Sequence, residues 1–272
     1  MYLRVVIVAM VLCCVANTVL GQSKNAPKEP LIATDFEQAD ELGLFKALSK
    51  HALLDVVEGE GVDGSKGLRT KYVGYKEGSK RVGVTFDLPK HVMHATLNYD
   101  VKFDRDFQFV KGGKMHGLSP DKGITGGKEM KPEGWSARVM WRDRGLNTYV
   151  YSQDKNRKYG EGADRTLAHK FRPNRYHAIT IYVKLNDPVD KANGSMRIYV
   201  DGRGVADHRG IQFRSVEGEH TKISKFLFST FHGGHDPSWA PKDKNGNYIT
   251  VYAYFDNFAV YEGLNIRRRP VK

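Results

Sequence analysis

Residues 135–152, WSARVMWRDRGLNTYVYS, place serine, arginine and tyrosine side chains at a spacing of two. In an extended strand, side chains two residues apart share one face. Ser136 and Arg138 would therefore lie together on a first strand, and Tyr149 and Tyr151 together on a second. DRGLN is a plausible hairpin loop that would bring the two strands side by side. Arginine can hold a carboxylate through paired donors and a phenol can transfer a proton, so these four residues could act on an acidic compound.

Two other segments supply basic and aromatic side chains. FVKGGKMHGL places Lys111, Lys114 and His116 around a Gly-Gly pair, where a backbone can approach a ligand closely. FSTFHGGHDPSW carries two histidines and a tryptophan. The candidate residues for binding a ligand, as distinct from catalysis, are Lys111, His116, Trp141, His232, His235 and Trp239.

Each of these segments also has an ordinary structural interpretation. Tyr-Val-Tyr is common strand composition, and Lys-Gly-Gly-Lys is typical of an exposed turn. Two histidines without further ligands favour a role other than metal binding. The functional interpretation therefore depends on all the segments meeting in one place.

Several familiar kinds of site are excluded. No glutamate has an aspartate two residues later, so the paired carboxylates of sandwich glycosidases are missing. The only cysteines, Cys13 and Cys14, lie in the leader described below, which leaves no thiol nucleophile and no cysteine-bearing zinc site. DKNGNYITVYAY opens like a calcium loop, but its glycine comes too early and the closing glutamate is missing. We expect no metal and no cofactor.

The ends and the charge of the chain indicate an exported protein with an anionic partner. Residues 1–21 have one arginine, a short apolar run and small residues before Gln22, which predicts a signal peptide rather than a membrane span. Residues 22–34 are predicted to be a flexible lead-in. The whole chain has a net charge of +12, and removal of the leader, which carries Arg4 and no acid, leaves +11. Secretion argues against nucleic acid, so we expect an acidic polysaccharide as the partner and a monomeric protein.

Alternating apolar and polar residues dominate the rest of the chain. In AITIYVKL and SMRIYVDG, every second residue is apolar, and Asn-Gly and Asp-Gly pairs supply tight turns. DFEQADELGLFKALSKH is the one segment that favours a short helix. We predict an all-β chain with a single domain over residues 35–272, built as a sandwich or jelly roll.

In this order, the segments resemble polysaccharide lyase family 14, the alginate lyases, and the related glucuronan lyases. The resemblance is carried by KGGKMHGL, SARVMWR, YVY, FSTFHGGHDPSWAP and YFDNFAVYEG and covers about residues 61–262. It implies a β-jelly roll of two antiparallel sheets, with a concave sheet that forms a cleft for an acidic polysaccharide.

The resemblance also implies a set of catalytic residues. The essential lysine of the family falls on Lys114, with Lys111 as the alternative, and the Ser-x-Arg and Tyr-x-Tyr elements fall on the residues of the hairpin. The connection from Arg138 to Tyr149 is about one residue shorter than expected, and Met115-His116 replaces a Leu-Pro pair. The disulfides of molluscan members cannot form here.

The implied reaction is β-elimination: removal of the proton at C5 of a uronate, followed by loss of the oxygen at C4. Arg138 would stabilise the charge that develops on the carboxylate. Lys114 would either neutralise charge or take part in the proton relay, and Ser136 would orient the sugar or neighbouring side chains. Tyr149 or Tyr151 would be the base and acid, with a pKa lowered by the neighbouring cations. Mannuronate and glucuronate both suit this chemistry, guluronate suits it less, and a lectin-like binder without catalysis is the remaining alternative.

Overall fold

The computed structural model describes residues 28–38, 43–142, 145–164 and 166–271. These residues form one α-helix, three short 3-10 helices and fourteen strands. The helices are α1 (Leu44–Ser49) and the 3-10 turns Val62–Gly64, Glu219–Thr221 and Pro237–Trp239. The strands are β1 (Ile32–Thr34), β2 (Leu54–Val57), β3 (Gly67–Tyr75), β4 (Gly78–Ser79), β5 (Val82–Val92), β6 (His94–Phe103), β7 (Gly113–Ser119), β8 (Ser136–Arg142), β9 (Gly145–Tyr151), β10 (Tyr176–Lys184), β11 (Gly194–Val200), β12 (Arg203–Ile211), β13 (Ile223–His232) and β14 (Thr250–Glu262).

The strands form two antiparallel sheets, which confirms the predicted all-β jelly roll. The larger sheet has the order β12-β11-β10-β6-β14-β3-β2, with β1 paired to β14 and β4 to β3. The smaller sheet has the order β5-β13-β7-β8-β9. Strands that are distant in sequence are therefore neighbours in space, which brings β7, β8 and β9 together beside β13.

The core lies between the sheets and follows the predicted alternation. Along β10, Ile179, Ile181 and Val183 are completely buried, and the apolar residues of β11 face the same core. The smaller sheet contributes the core faces of β8 and β13, including Trp141 and Phe228. Because one face of the smaller sheet is used by the core, its other face is left for the functional side chains.

The beginning of the described chain differs from the prediction at one point. The expected lead-in extends to residue 34, but Ile32–Thr34 form β1 and pair with residues 258–260 of β14. Residues 1–27, including the predicted signal peptide, lie outside the described residues. The predicted short helix is α1. Among the described residues, no helix is long and apolar enough to cross a membrane.

The outer face of the larger sheet is covered by the C-terminal segment, residues 263–271. Thr96 Oγ donates to the Gly263 carbonyl, and Asn98 Nδ2 donates to the Asn265 carbonyl. The Val271 amide donates to Asp100, which also pairs with Arg267 at 3.3 Å. Buried polar groups of the sheet thus obtain partners from this segment, as buried polar groups require.

Two buried carboxylates on that face give a pH dependence of stability. Asp100 and Asp256 are direct partners across β6 and β14, and both are nearly inaccessible to water. Burial, with a smaller contribution from the charge of Asp100, raises the pKa of Asp256 from 3.8 to about 6. Because the folded state binds the proton more tightly, stability should fall as pH rises from 3.8 to about 6.

Asp256→Asn is expected to remove this contribution. As the pH rises from 4 to 7, the unfolding free energy of the wild type should fall by on the order of 2 kcal/mol relative to that of the variant. Urea unfolding across this pH range measures the difference. Asp190→Asn, at an exposed acid, is the matched control and should leave the pH dependence unchanged. An unaltered slope in Asp256→Asn would contradict the prediction.

Candidate active site

The strands of the hairpin, β8 and β9, pair without a register shift. Arg138 is directly opposite Tyr149, and Ser136 is directly opposite Tyr151. All four side chains therefore lie on the face of the smaller sheet that points away from the core. Residues 143 and 144 of the DRGLN turn, where the predicted difference in connection length falls, lie outside the described residues.

A β-bulge in β7 places Lys114 on the same face. Lys114 pairs with Met140 and Gly117 pairs with Arg138. Two residues of β7 therefore lie between these pairs where β8 has only one. The extra residue leaves Met115 and His116 both on the core side. A bulge re-aims side chains in this way because it interrupts the alternation of faces.

Lys114, Arg138 and Tyr149 line a cavity of about 770 Å³ over the smaller sheet. Its described lining includes six basic side chains, Arg81, Lys114, Arg138, Arg142, Arg157 and Lys158, and a single carboxylate, Glu77. Tyr149, Tyr159, Phe231, His235 and Trp239 provide the ring systems of the lining. A cleft with this excess of positive charge attracts an anionic ligand.

Lys114 lies in the centre of this charge. Its Nζ is 4.5 Å from the centroid of the Tyr149 ring. Burial, with the nearby charges of Arg138, Arg142 and Arg81, lowers the pKa of Lys114 to about 8. A fraction of the Lys114 side chains is therefore a neutral amine near neutral pH, and a neutral amine can accept a proton.

Tyr149 is largely buried and lies under two cations. The Arg138 guanidinium is 5.5 Å from its ring centroid, on the same phenol that Lys114 covers. Burial raises the pKa of Tyr149, the hydrogen bond with Tyr151 raises it further, and Arg138 only partly opposes them. The expectation that cations would lower this pKa is wrong for Tyr149, because the loss of hydration is the larger effect.

Tyr151 and Ser136 hold the neighbouring loop. Tyr151 is fully buried, its ring is 5.7 Å from that of Tyr149, and its hydroxyl accepts a hydrogen bond from the Gly127 amide. Ser136 is also fully buried, and its hydroxyl donates to the Ile124 carbonyl at 2.6 Å. Of the two tyrosines, only Tyr149 is among the residues that line the cavity.

Three of the predicted binding residues lie in the core instead. His116 packs on Phe228 and Phe255, and burial lowers its pKa to about 3. His232 is completely buried against Phe107, and its Nε2 lies 2.6 Å from the Gln108 carbonyl. These placements correct the assignment of His116 and His232 as residues that touch the ligand.

Trp141 is the third correction, and it explains the Gly-Gly pair. It is fully buried and donates from its indole nitrogen to the Phe109 carbonyl. A Cβ on Gly113 would lie 2.1 Å from the Trp141 ring, and one on Gly112 would lie 2.5 Å from the Trp141 carbonyl. The glycines make room for this tryptophan rather than for a ligand.

The other predicted binding residues lie at the cleft. His235 and Trp239 line the cavity, and Lys111 Nζ lies 5.9 Å from the Trp239 ring. The sequence analysis missed other lining residues: Arg81, Arg142, Ser229, Phe231 and residues 157–160. Arg142 continues the spacing of two from Arg138, which would have identified it. The loop at residues 157–160 has no periodicity that could have done so.

A second cavity of about 570 Å³ continues from the first. The two share Arg142, Tyr149, Arg157 and Gly160. The second adds amide and acidic groups, including Asn147 and Glu161. Tyr149 therefore lies where the two cavities meet.

Comparison with known proteins agrees with this arrangement. The family model Polysaccharide lyase 14 matches residues 64–258, which is most of the chain. The chain belongs to polysaccharide lyase family 14. The matched range includes the predicted catalytic residues Lys114, Arg138 and Tyr149. No curated protein sequence gives a significant match.

Solved structures share the fold of this family 14 chain. An alginate lyase from Aplysia kurodai superposes with a TM-score of 0.63 at 21% identity, covering 86% of this chain and 100% of that one. A mutant of alginate lyase Aly36B in complex with an alginate tetrasaccharide gives 0.62 at 22% identity, with coverages of 74% and 81%. An endo-β-1,4-glucuronan lyase from Trichoderma reesei gives 0.55 at 12% identity, with coverages of 82% and 92%.

Proposed function

We propose that the chain is a secreted polyuronate lyase that cleaves β-1,4-linked mannuronate in alginate by β-elimination. The observation that carries the proposal is the convergence of Lys114, Arg138 and Tyr149 on one face of a strongly basic cleft. Membership of polysaccharide lyase family 14 supports the class of reaction. The alginate lyases among the structural neighbours, one of them complexed with an alginate tetrasaccharide, support the class of substrate.

Arg138 is the group best suited to the carboxylate of the reacting sugar. A proton next to a carboxylate is only weakly acidic, so the enzyme must stabilise the charge that appears when it leaves. Arg138 is 6% exposed, lines the cavity and keeps its charge at any physiological pH. Its Nε is buried and has no hydrogen-bond partner among the described residues. Gly117, opposite Arg138, permits the close fit, since a Cβ there would lie 2.8 Å from Arg138 Cγ.

Lys114 and Tyr149 divide the proton transfers between them. The neutral amine of Lys114 takes the proton from C5, the electrons form the C4–C5 double bond, and the bond from C4 to the glycosidic oxygen breaks. Tyr149, which stays protonated because its pKa is raised, gives its proton to that oxygen. The ammonium of Lys114 then returns a proton to the phenolate, so both groups are restored. Two groups with pKa values shifted in opposite directions suit a base and an acid.

The arrangement favours mannuronate over guluronate. In β-linked mannuronate, the C5 proton and the oxygen at C4 leave from the same side of the ring. Lys114 and Tyr149 are neighbours on one face of one sheet, so both can reach that side. Guluronate is inverted at C5 and would require groups on opposite sides. Glucuronate differs from mannuronate only at C2, and the same residues would serve it.

Ultraviolet absorbance of the unsaturated product tests the proposal. The mature protein is incubated with polymannuronate, polyguluronate and glucuronan, and the three initial rates are compared. The expected result is a fastest rate on polymannuronate. Faster cleavage of glucuronan would change the proposed substrate to glucuronan and leave the proposed mechanism unchanged. Binding without absorbance on any of the three would leave the lectin-like alternative.

A further inference from the structure

Trp239 forms a flat aromatic platform at one end of the cleft. It ends the short 3-10 helix Pro237–Trp239, whose start is capped by Asp236. The indole rests directly on the backbone of Gly234, because a Cβ there would lie 2.1 Å from Trp239 Cγ. Gly234 also has a φ of 144°, which side-chain-bearing residues rarely adopt. The absence of a side chain at Gly234 therefore allows the ring to lie against this backbone.

Two cations lie close to this platform. Lys111 Nζ is 5.9 Å and Arg142 Cζ is 5.7 Å from the centroid of the indole. Neither forms an ion pair with a carboxylate of the described residues. Asp236, in the same turn, instead accepts hydrogen bonds from the amide and the hydroxyl of Ser238. Asp236 is still near enough to Lys111 for that cation to contribute to lowering the pKa of Asp236. The platform thus combines an apolar surface with a net positive charge.

Trp239 is also adjacent to the proposed catalytic lysine. A Cβ on Gly233, the residue before the platform's glycine, would lie 2.8 Å from Lys114 Nζ. Lys114 and Trp239 therefore lie against consecutive glycines, whose Cα atoms are about 3.8 Å apart, and both side chains line the same cavity.

We propose that Trp239, Lys111 and Arg142 form a binding subsite for the uronate next to the one that reacts. The C–H face of a pyranose stacks on an aromatic ring, and a carboxylate at the edge of the same sugar would meet the cations. A neutral sugar could use the ring but would leave both charges unpaired. This inference rests on the proposed function, since it concerns a neighbouring residue of the same polymer.

Dependence on chain length is the first test. Trp239→Ala should lower kcat/KM about five- to tenfold more on long oligomannuronates than on the shortest one cleaved, as expected for loss of one stacking contact. Gly234→Ala should have the same effect, because the added methyl group displaces the indole. Lys111→Gln should show a smaller effect that disappears at high salt, since exposed charges are screened. Equal losses on all lengths would overturn the proposal.

A binding measurement separates this inference from the proposed function. Calorimetry with an uncut oligomannuronate uses the Tyr149→Phe background, and addition of Trp239→Ala should weaken binding about five- to tenfold. If the wild type cleaves no polyuronate, the proposed function fails while this measurement still decides the subsite. Unchanged affinity would overturn it.

Matched controls come from outside the cleft. Tyr248→Ala removes an exposed aromatic ring that does not line the cavity. Lys184→Gln removes an exposed positive charge from β10 of the other sheet. Both should behave as the wild type in the two experiments, and circular dichroism should show every variant folded. Equal weakening by Lys184→Gln would attribute the effect to net charge and overturn the role of Lys111.

Discussion

Replacement of Tyr149 by phenylalanine is expected to lower kcat on polymannuronate by about 10³-fold, since a positioned proton donor typically contributes 10²–10⁴ in rate. This variant keeps the aromatic ring over which the Lys114 ammonium lies. KM should therefore change much less than kcat. Steady-state kinetics by absorbance of the unsaturated product measure both quantities.

Tyr151→Phe is the matched control for this experiment. Tyr151 is fully buried, and its hydroxyl contacts Gly127 rather than the cleft. Its loss acts on the rate through the position and the pKa of Tyr149, so we expect about a tenfold decrease, the effect of one lost hydrogen bond. If Tyr151→Phe were the more damaging of the two, the assignment of the acid would have to pass to Tyr151.

Replacement of Lys114 by methionine should have a loss of similar size, about 10³-fold in kcat, because it removes the proposed base. Methionine approximates the length of the lysine stem beside Gly233, so the packing is largely kept. Lys114→Arg restores the positive charge but not a group that can become neutral. Activity recovered in Lys114→Arg would show that charge, and not proton acceptance, is the role of this residue.

The pH profile provides a second measurement of the same prediction. Only the neutral amine accepts a proton, and the pKa of Lys114 is lowered to about 8. In the wild type, kcat/KM should therefore rise with pH and level off above about 8. This limb should be missing from whatever residual activity Lys114→Arg retains. A wild-type profile that falls through the same range would contradict the role of Lys114 as base.

The parts of the site that lie on regular strands could be predicted from the sequence. Ser136, Arg138, Tyr149 and Tyr151 alternate with apolar residues, and their strands pair without a shift. The same period would have assigned His232 to the core, because it shares a face of β13 with Phe226 and Phe228. His232 directly precedes Gly233-Gly234, and an interpretation that groups it with these glycines places it in a loop instead of in the strand.

Other features could not be predicted because they depend on tertiary structure. The pKa of Tyr149 is set by burial under loops at residues 124–127 and 157–160, and nothing in the local sequence reports that burial. The burial of the outer face of the larger sheet could not be predicted either. Thr96 and Asn98 look like solvent-facing polar residues, yet the C-terminal segment covers them. Contacts between distant segments decide both cases.

The bulge in β7 has a consequence for anyone who aligns this chain with its relatives. Lys114 and Gly117 face the cleft although three positions separate them, and a regular strand would turn one of them to the core. A gap of a single residue placed between them therefore exchanges interior and exterior for the rest of the strand. Such an alignment would keep its percentage identity and yet pair a histidine of the interior with a sugar-facing residue. An alignment of this sheet with its relatives should therefore be anchored at the bulge, and not at single identical residues.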